Sequence, residues 1–298
     1  MTTMRPSLDR AADLRTEPGI IERLRGEPST RTIAVRQGRV RIVDGGNDRV
    51  SLLTVDPSDI VEATWALLGR DADGAALLLA ALPPEADSLD TAPDETWLGL
   101  RDLGGRLASH ETELLVEALA LAGWLRDAPF CPSCGGGTEI RQAGWSRRCL
   151  LCGKEHFPRT DPAVIVAVES PDGERLLLGA NANWGGRMYS CFAGFAEAGE
   201  SLESTVHREL AEEAGVRLSS LRYISSQPWP FPRSLMLGFR AVAVDEDEVR
   251  ADGEEIIDVR WFTRAEIATA LEGDGPVGLP GPASIARALI VTWLEDHE

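Results

Sequence analysis

Residues 194–216 read GFAEAGESLESTVHRELAEEAGV, and this run restricts the fold of the 298-residue chain more than any other. Six carboxylates crowd it (Glu197, Glu200, Glu203, Glu209, Glu212 and Glu213), opposed only by Arg208 and, in part, by His207. Like charges at that density repel one another unless something positive sits among them, and hard divalent cations such as Mg²⁺ favour carboxylate oxygens. Ser201 is a natural N-cap and Gly215 a natural stop, which predicts a helix between them. Leu202, Val206 and Leu210 recur every four residues as an apolar stripe. At about 100° per residue, Glu209 and Glu213 project within roughly 20° of Leu202, at the edge of the buried face. Glu209 is one turn from Glu213 and three residues from Glu212, so all three can converge on one ion cluster. A merely solvated acidic helix would carry these charges on its opposite side. The run reads as a site for metal-assisted chemistry on phosphate.

Gly194, five residues, Glu200, seven residues and then Arg208-Glu209-Leu210-Ala211-Glu212-Glu213-Ala214-Gly215-Val216 resemble the Nudix box at every fixed position. The resemblance implies an α+β protein whose catalytic part is a Nudix α/β/α sandwich with a mixed sheet. It also implies hydrolysis of a nucleoside diphosphate linked to another moiety, without naming the substrate.

A second motif, Ser226-Gln227-Pro228-Trp229-Pro230-Phe231-Pro232-Arg233-Ser234, follows the box. Its three prolines hold the backbone extended with few amide donors, and Trp229 and Phe231 offer flat faces for stacking. By itself it reads as a stiff surface loop or a polyproline ligand. Placed after a Nudix box, it resembles the array that marks the NADH pyrophosphatase branch. That likeness implies substrate contacts along Gln227, Pro228, Trp229, Pro230, Phe231, Pro232, Arg233 and Ser234.

The third constellation is Cys131-Pro-Ser-Cys134, fourteen residues, then Cys149-Leu-Leu-Cys152. Paired knuckles at this spacing suit four thiolates around one tetrahedral Zn²⁺, and four ligands leave no open position, so the zinc is expected to be structural. Two disulfides are the rival reading. A chain with no secretory leader is expected to stay in a reducing, cytoplasmic compartment, which disfavours them. The remaining Cys191 reads as a small core residue.

The formal net charge of −18 argues against nonspecific nucleic-acid binding and requires metals or local basic groups for an anionic substrate. No apolar run approaches the roughly 20 residues of a membrane span. Three blocks are expected: 1–125, a smaller N-terminal α/β domain opening with a polar arm; 126–157, the zinc ribbon; and 158–298, the catalytic domain. In the first, Thr32–Val35, Ser51–Val55 and Ala75–Leu82 are short apolar runs, and Glu111–Leu125 has helical periodicity. In the last, strands are expected at Ala163–Val168 and Arg175–Gly179, joined by a Pro171-Asp172-Gly173 turn. Further strands are expected at Leu235–Val244 and Ile256–Phe262, with helices at Glu266–Leu271 and from Ser284 to Trp293.

Pyrophosphate resists water because its oxygens repel nucleophiles, and bound Mg²⁺ or Mn²⁺ neutralises them and lowers the pKa of an attacking water. Glu209 and Glu213 are the chief candidate ligands, and Glu212 is a further ligand or base. Glu200 is either a partner of Arg208 or a member of the cluster. The family likeness adds a distal acid at Glu255, with Glu254 its neighbouring rival, and the Ala193 carbonyl as a metal contact. It further implies that Phe195 stacks on nicotinamide, that Phe157 contributes from a second subunit of a homodimer, and that Ala286 meets the ligand through its backbone. Gly144 stands where some relatives carry an acidic contact. The implied activity is cleavage of NADH or NAD to AMP and nicotinamide mononucleotide, with removal of 5′ NAD caps from RNA. A basic path such as Arg141, Arg147 and Arg148 would then be needed. A broader dinucleotide or ADP-ribose hydrolase, a noncatalytic NAD-binding sensor and a zinc-ribbon nucleic-acid adaptor are the alternatives.

Overall fold

The computed structural model describes residues 8–46, 48–85, 95–103, 105–247, 249–273 and 275–296. Residues 1–7, where the polar arm begins, lie outside these. The chain divides into two compact units, Met1–Arg159 and Thr160–Glu298.

The first unit is built on a mixed sheet of β1 (Arg31–Arg36), β2 (Arg39–Gly46), β3 (Arg49–Leu52), β4 (Thr64–Arg70), β5 (Ala76–Ala81) and β6 (Glu95–Gly99). Its order is β3-β2-β1-β5-β4, with β6 on β2, and only β1 and β5 run parallel. Helix α1 (Ile20–Arg25) packs Ile20 and Leu24 onto Leu67 and Leu78. After the short α2 (Leu100–Leu103), α3 (Ser109–Asp127) lies against β1, β3, β4 and β5 and buries Leu115, Ala118, Leu119 and Ala122. The expected helix Glu111–Leu125 falls inside α3. The ribbon follows as a three-stranded antiparallel sheet, β7 (Thr138–Arg141), β8 (Ser146–Cys149) and β9 (Glu155–His156).

The second unit has a seven-stranded mixed sheet. Its strands are β10 (Asp161–Glu169), β11 (Arg175–Asn181), β12 (Tyr189–Ser190), β13 (Phe192–Phe195), β14 (Leu218–Trp229), β15 (Ser234–Ala243) and β16 (Ile256–Thr263). The order is β12-β11-β10-β15-β14, with β13 on β10 and β16 on β11. β10 runs parallel to β15 and antiparallel to its other neighbours. Successive side chains of a strand point to opposite faces. Val164, Val166 and Val168 meet Val206, Leu210 and Ala214 of α4 (Leu202–Ala214). Ile165 and Ala167 meet Ile267 of α5 (Arg264–Glu272) and Leu289, Ile290 and Trp293 of α6 (Ile285–Glu295). A sheet covered on both faces needs a continuous apolar run rather than an alternating one, and β10 has it. The result is the α/β/α sandwich. Each fully buried leucine in these layers, such as Leu210, is worth about 2 kcal/mol.

One element differs from the sequence reading. Ser226–Trp229 is not part of a loop but the end of the twelve-residue β14, and Ser234 opens β15 opposite Trp229, so the proline motif is the tip of a hairpin. β14 is an edge strand whose register shifts at Leu218/Ser220 and Tyr223/Ser225. Bulges erase the two-residue polarity period, and an edge position tolerates Pro228.

Candidate active site

Helix α4 is held at both ends. The Ser201 hydroxyl accepts from the Ser204 amide at 3.2 Å, and Gly215 turns out of the helix with φ +69°. Its apolar stripe lies on the sheet, which carries Glu213 down with it: Glu213 is only 5% exposed. Glu209 is largely covered and Glu212 is exposed. The glutamates at the edge of the stripe are therefore the two drawn inward.

Arg208 organises the surrounding charge. Its guanidinium grips Glu200 through Nε at 2.7 Å and Nη2 at 2.9 Å, and donates to Glu209 at 2.8 Å, Glu212 at 3.1 Å and the Phe195 carbonyl at 3.0 Å. Glu200 also accepts from the Glu197 amide and the Thr205 hydroxyl. These bonds, the Arg208 bond first, hold the Glu200 carboxyl down at about 2. Of the two roles open to Glu200 in the sequence, the structure places it on Arg208.

Glu213 is the opposite case. Its Oε2 is buried with no hydrogen-bond partner. Burial first, then the charges of Glu209, Glu255, Asp252 and Glu212, push its carboxyl up to about 8. Glu209 is raised as well, chiefly by burial. Ionising such a buried group is costly unless a cation stands beside it. An orphaned carboxylate oxygen among four other acids is a donor set that fits a hard divalent cation. The Glu255 charge acts on both Glu209 and Glu213, while its own carboxylate accepts from Asn181 Nδ2 at 3.3 Å. The acids do not close into a tight set here. Among the described residues only the four cysteines gather three or more ligand atoms within 4.8 Å, and Arg208 holds Glu209 and Glu212 to itself.

The neighbouring strand makes room for this. Gly194 of β13 lies under Glu209, and Ala193 precedes it opposite Ile165. Phe195 ends the strand half-exposed. At the hairpin tip, Trp229 and Phe231 pack edge to face, 5.1 Å apart. Arg233 pairs with Asp161 at 2.9 Å, and Ser234 is buried. Pro228 and Pro232 are exposed, with Pro230 partly covered between them. Gln227 turns its amide inward, where Nε2 donates to the Ala283 carbonyl and Oε1 accepts from the Ile285 amide, both at 2.8 Å. Sequence reasoning had Gln227 among substrate contacts, but no periodicity announces a clamp that spans 58 residues. Ala286 is buried, and its amide is taken by the Ser284 hydroxyl.

In the first unit, Cys131, Cys134, Cys149 and Cys152 bring their sulfurs together, with Cys131–Cys152 at 3.7 Å and Cys134–Cys149 at 3.5 Å. Zn–S bonds of about 2.3 Å in a tetrahedron require S···S edges of about 3.8 Å, so the cradle fits zinc. Amides of Cys152 and Leu151 donate to Cys149 and push its thiol down to about 6, toward the thiolate a metal needs. The cluster supports a structural zinc. His156, missed in the sequence, lies 3.1 Å from the Cys131 sulfur. Phe157 is partly exposed. Arg147, expected on a solvated basic path, is instead buried and donates to the Leu125 carbonyl and the Thr138 hydroxyl, because β8 turns it toward α3. Gly144 packs so closely on β4 that a Cβ would fall 2.2 Å from that of Ala66, which leaves no room for an acidic side chain.

Family models match in two places: the NUDIX domain over residues 159–278, and the NADH pyrophosphatase zinc ribbon domain over residues 126–157. The chain is 39% identical to an NAD-capped RNA hydrolase NudC of Mycobacterium bovis over 301 aligned positions, covering 97% of this chain and 93% of that one. It is 38% identical to the human NAD-capped RNA hydrolase NUDT12 over 199 positions, 63% of this chain and 43% of that protein. Among solved structures, a NUDIX hydrolase from Nitrosomonas europaea is similar at 24% identity with a TM-score of 0.45, covering 56% of this chain and 90% of that one.

Proposed function

The chain belongs to the NUDIX hydrolase family, in the branch that carries the NADH pyrophosphatase zinc ribbon, and on that premise we propose that it hydrolyses the diphosphate bond of NAD(H), free or as the 5′ cap of RNA. Water adds across the phosphoanhydride, one phosphate keeping the bridging oxygen and the other gaining the water oxygen: free NAD(H) gives AMP, nicotinamide mononucleotide and a proton, and capped RNA gives nicotinamide mononucleotide, a 5′-monophosphate RNA and a proton. The buried, unpaired Glu213 carboxylate on an intact box helix carries this reading, since a protein that only bound NAD would have no use for so costly a group.

Glu209, Glu213 and Glu255, with the Ala193 carbonyl, would hold Mg²⁺ or Mn²⁺. Bound there, a divalent cation supplies charge neutralisation for the diphosphate and a lowered pKa for water. Glu212, exposed on the same helix, would take the proton from the attacking water. Arg208 keeps Glu209 and Glu212 poised and ties the Phe195 carbonyl to α4. Phe195, Trp229 and Phe231 offer apolar surface for a nicotinamide ring, and Phe157 does so from the second copy of a homodimer. The backbone around Ala286, registered by Gln227, closes the site. Four zinc thiolates ask for a reducing compartment, which supports a cytoplasmic protein. Among the described residues no helix is long and apolar enough to cross a membrane.

The test is one incubation series with NADH, NAD, ADP-ribose and NAD-capped RNA, with and without Mn²⁺. Metal-dependent release of nicotinamide mononucleotide is expected, with AMP formed from NADH and NAD and a 5′-monophosphate end left on the RNA. Cleavage restricted to ADP-ribose would overturn the nicotinamide assignment, and cleavage of none would favour a sensor.

A further inference from the structure

A chain of net charge −18 that acts on capped RNA must hold the transcript somewhere its own field does not repel it. In the first unit, a groove of about 830 Å³ runs between the N-terminal segment, β4 and the ribbon sheet, and four arginines line it: Arg15, Arg25, Arg141 and Arg148. Arg141 is neutralised by Glu139 at 2.5 Å. Arg15, Arg25 and Arg148 have no carboxylate within 4 Å among the described residues, although the described arginines elsewhere are often paired. The acids on the same walls that are left without a cation are fewer than these arginines. Glu17 pairs with Arg23 at 2.8 Å, while Glu155, which accepts from Gln142 and Ser146 at 2.9 and 2.5 Å, keeps its charge opposite Arg148 across β8 and β9, so three cations face the two acids Glu22 and Glu155.

Two of the three cations are pinned. The Arg25 guanidinium lies 4.3 Å over Trp65, and that of Arg15 lies 3.8 Å over Trp145, whose indole N–H is itself fixed to the Leu67 carbonyl at 2.7 Å. Both arginines have a buried Nε without a hydrogen-bond partner, turned to the ring instead. A guanidinium stacked on an indole keeps its planar edge for oxygen acceptors and loses little freedom when it binds one. Trp65 packs on two apolar clusters beneath Arg25, so the groove offers fixed charge and not a free stacking face. That is chemistry for phosphodiester oxygens, indifferent to base identity.

We propose that this groove binds the single-stranded RNA body of a capped substrate through Arg15, Arg25 and Arg148, a site separate from the carboxylate helix. The inference rests on the reading that capped RNA is a substrate, and the experiment separates the two. The full-length, zinc- and Mn²⁺-loaded enzyme is compared with an Arg25→Gln/Arg148→Glu double variant and a charge-keeping Arg25→Lys/Arg148→Lys variant. Measured are kcat/KM on NADH, kcat/KM on NAD-capped RNA, and Kd for the same RNA uncapped, between about 50 and 200 mM salt.

The expected result is an unchanged rate on NADH, a roughly tenfold loss on capped RNA, and a salt slope for uncapped RNA shallower by about 0.7 per lost contact, all largely restored by lysine. Equal RNA affinity and salt slope in wild type and the double variant overturn the groove. So does a parallel loss on NADH and RNA that lysine fails to restore, and so does tighter binding of a phosphopeptide than of RNA. If the wild type leaves capped RNA intact, the functional reading falls, while the groove is still decided by the uncapped RNA.

Discussion

The carboxylate of Glu209 rests directly on the α-carbon of Gly194, so closely that a Cβ there would fall 1.9 Å from Glu209 Oε1. A strand and a helix thus share one small volume, and the absence of a side chain on the strand sets where the helix's carboxylate lies. Gly194→Ala should push Glu209 aside while leaving the rest of β13 paired with β10. Displacing a catalytic charge by about 1 Å costs on the order of 100-fold in rate, so kcat should fall by about that much. Mn²⁺ affinity should weaken in parallel, and the zinc content should not change. A variant that keeps kcat within about threefold would show that this contact does not position Glu209.

Glu213 links activity to pH through its burial. Its carboxyl is raised to about 8 from an ordinary value of 4.5, so the metal-free protein prefers it protonated. That contribution to stability is complete below about 4.5 and is lost progressively as pH rises through about 8. In a chelator, the wild-type Tm should therefore fall between pH 5 and 8, and Glu213→Gln should flatten that limb. Adding Mn²⁺ should reverse the order, raising the wild type at pH 8 and not the variant. The variant should lose about 100-fold or more in kcat at saturating metal. Matching pH profiles with and without the substitution would show that the burial of Glu213 is not what the metal offsets.

The ribbon makes a separate prediction. Four thiolates with edges of 3.5 and 3.7 Å call for one zinc per chain, and Cys149→Ser should release it. Structural zinc contributes folding energy directly, so the remaining ribbon thiols should then react with a thiol reagent. Cys191 should stay protected, since it is buried under Ala286 and its thiol is pushed up to about 12 by that burial. Mass spectrometry of labelled peptides separates the two classes. Equal labelling with and without zinc would remove the metal from the ribbon.

Much of this was legible because local rules and tertiary packing agree. The β10 run is apolar throughout because it is covered twice, and α4 reads as a helix from cap to stop with its acids on the buried edge. The cysteine knuckles carry their own geometry. What escaped depends on partners far away in sequence. β14 hides behind two bulges and an edge position, and Arg147 reads as a surface cation until α3 is seen over it. Gly144 looks like a missing contact, where the structure shows a close approach to Ala66. Arg15 and Arg25 attract no notice until two tryptophans are found beneath them.

Gln227 is the sharpest of these long-range cases. Its amide joins β14 to the start of α6 by donating to the Ala283 carbonyl and accepting from the Ile285 amide, each at 2.8 Å, and Ile285 seats its side chain on Gly238 of β15. A carboxylate of the same shape keeps the acceptor and replaces the donor with a second acceptor aimed at a carbonyl. Gln227→Glu should therefore lower stability by about 1–3 kcal/mol near neutral pH, more than Gln227→Leu removes relative to its size. Protonation restores an O–H donor, and the misplaced acceptor raises the carboxyl in the folded state, so the Glu variant should recover as pH falls toward the ordinary carboxylate range. For turnover, a loosened 283–286 segment should raise KM for NADH about tenfold while kcat changes little, because the carboxylates on α4 are untouched. A fall in kcat at unchanged KM would instead put the Gln227 amide on the reacting diphosphate.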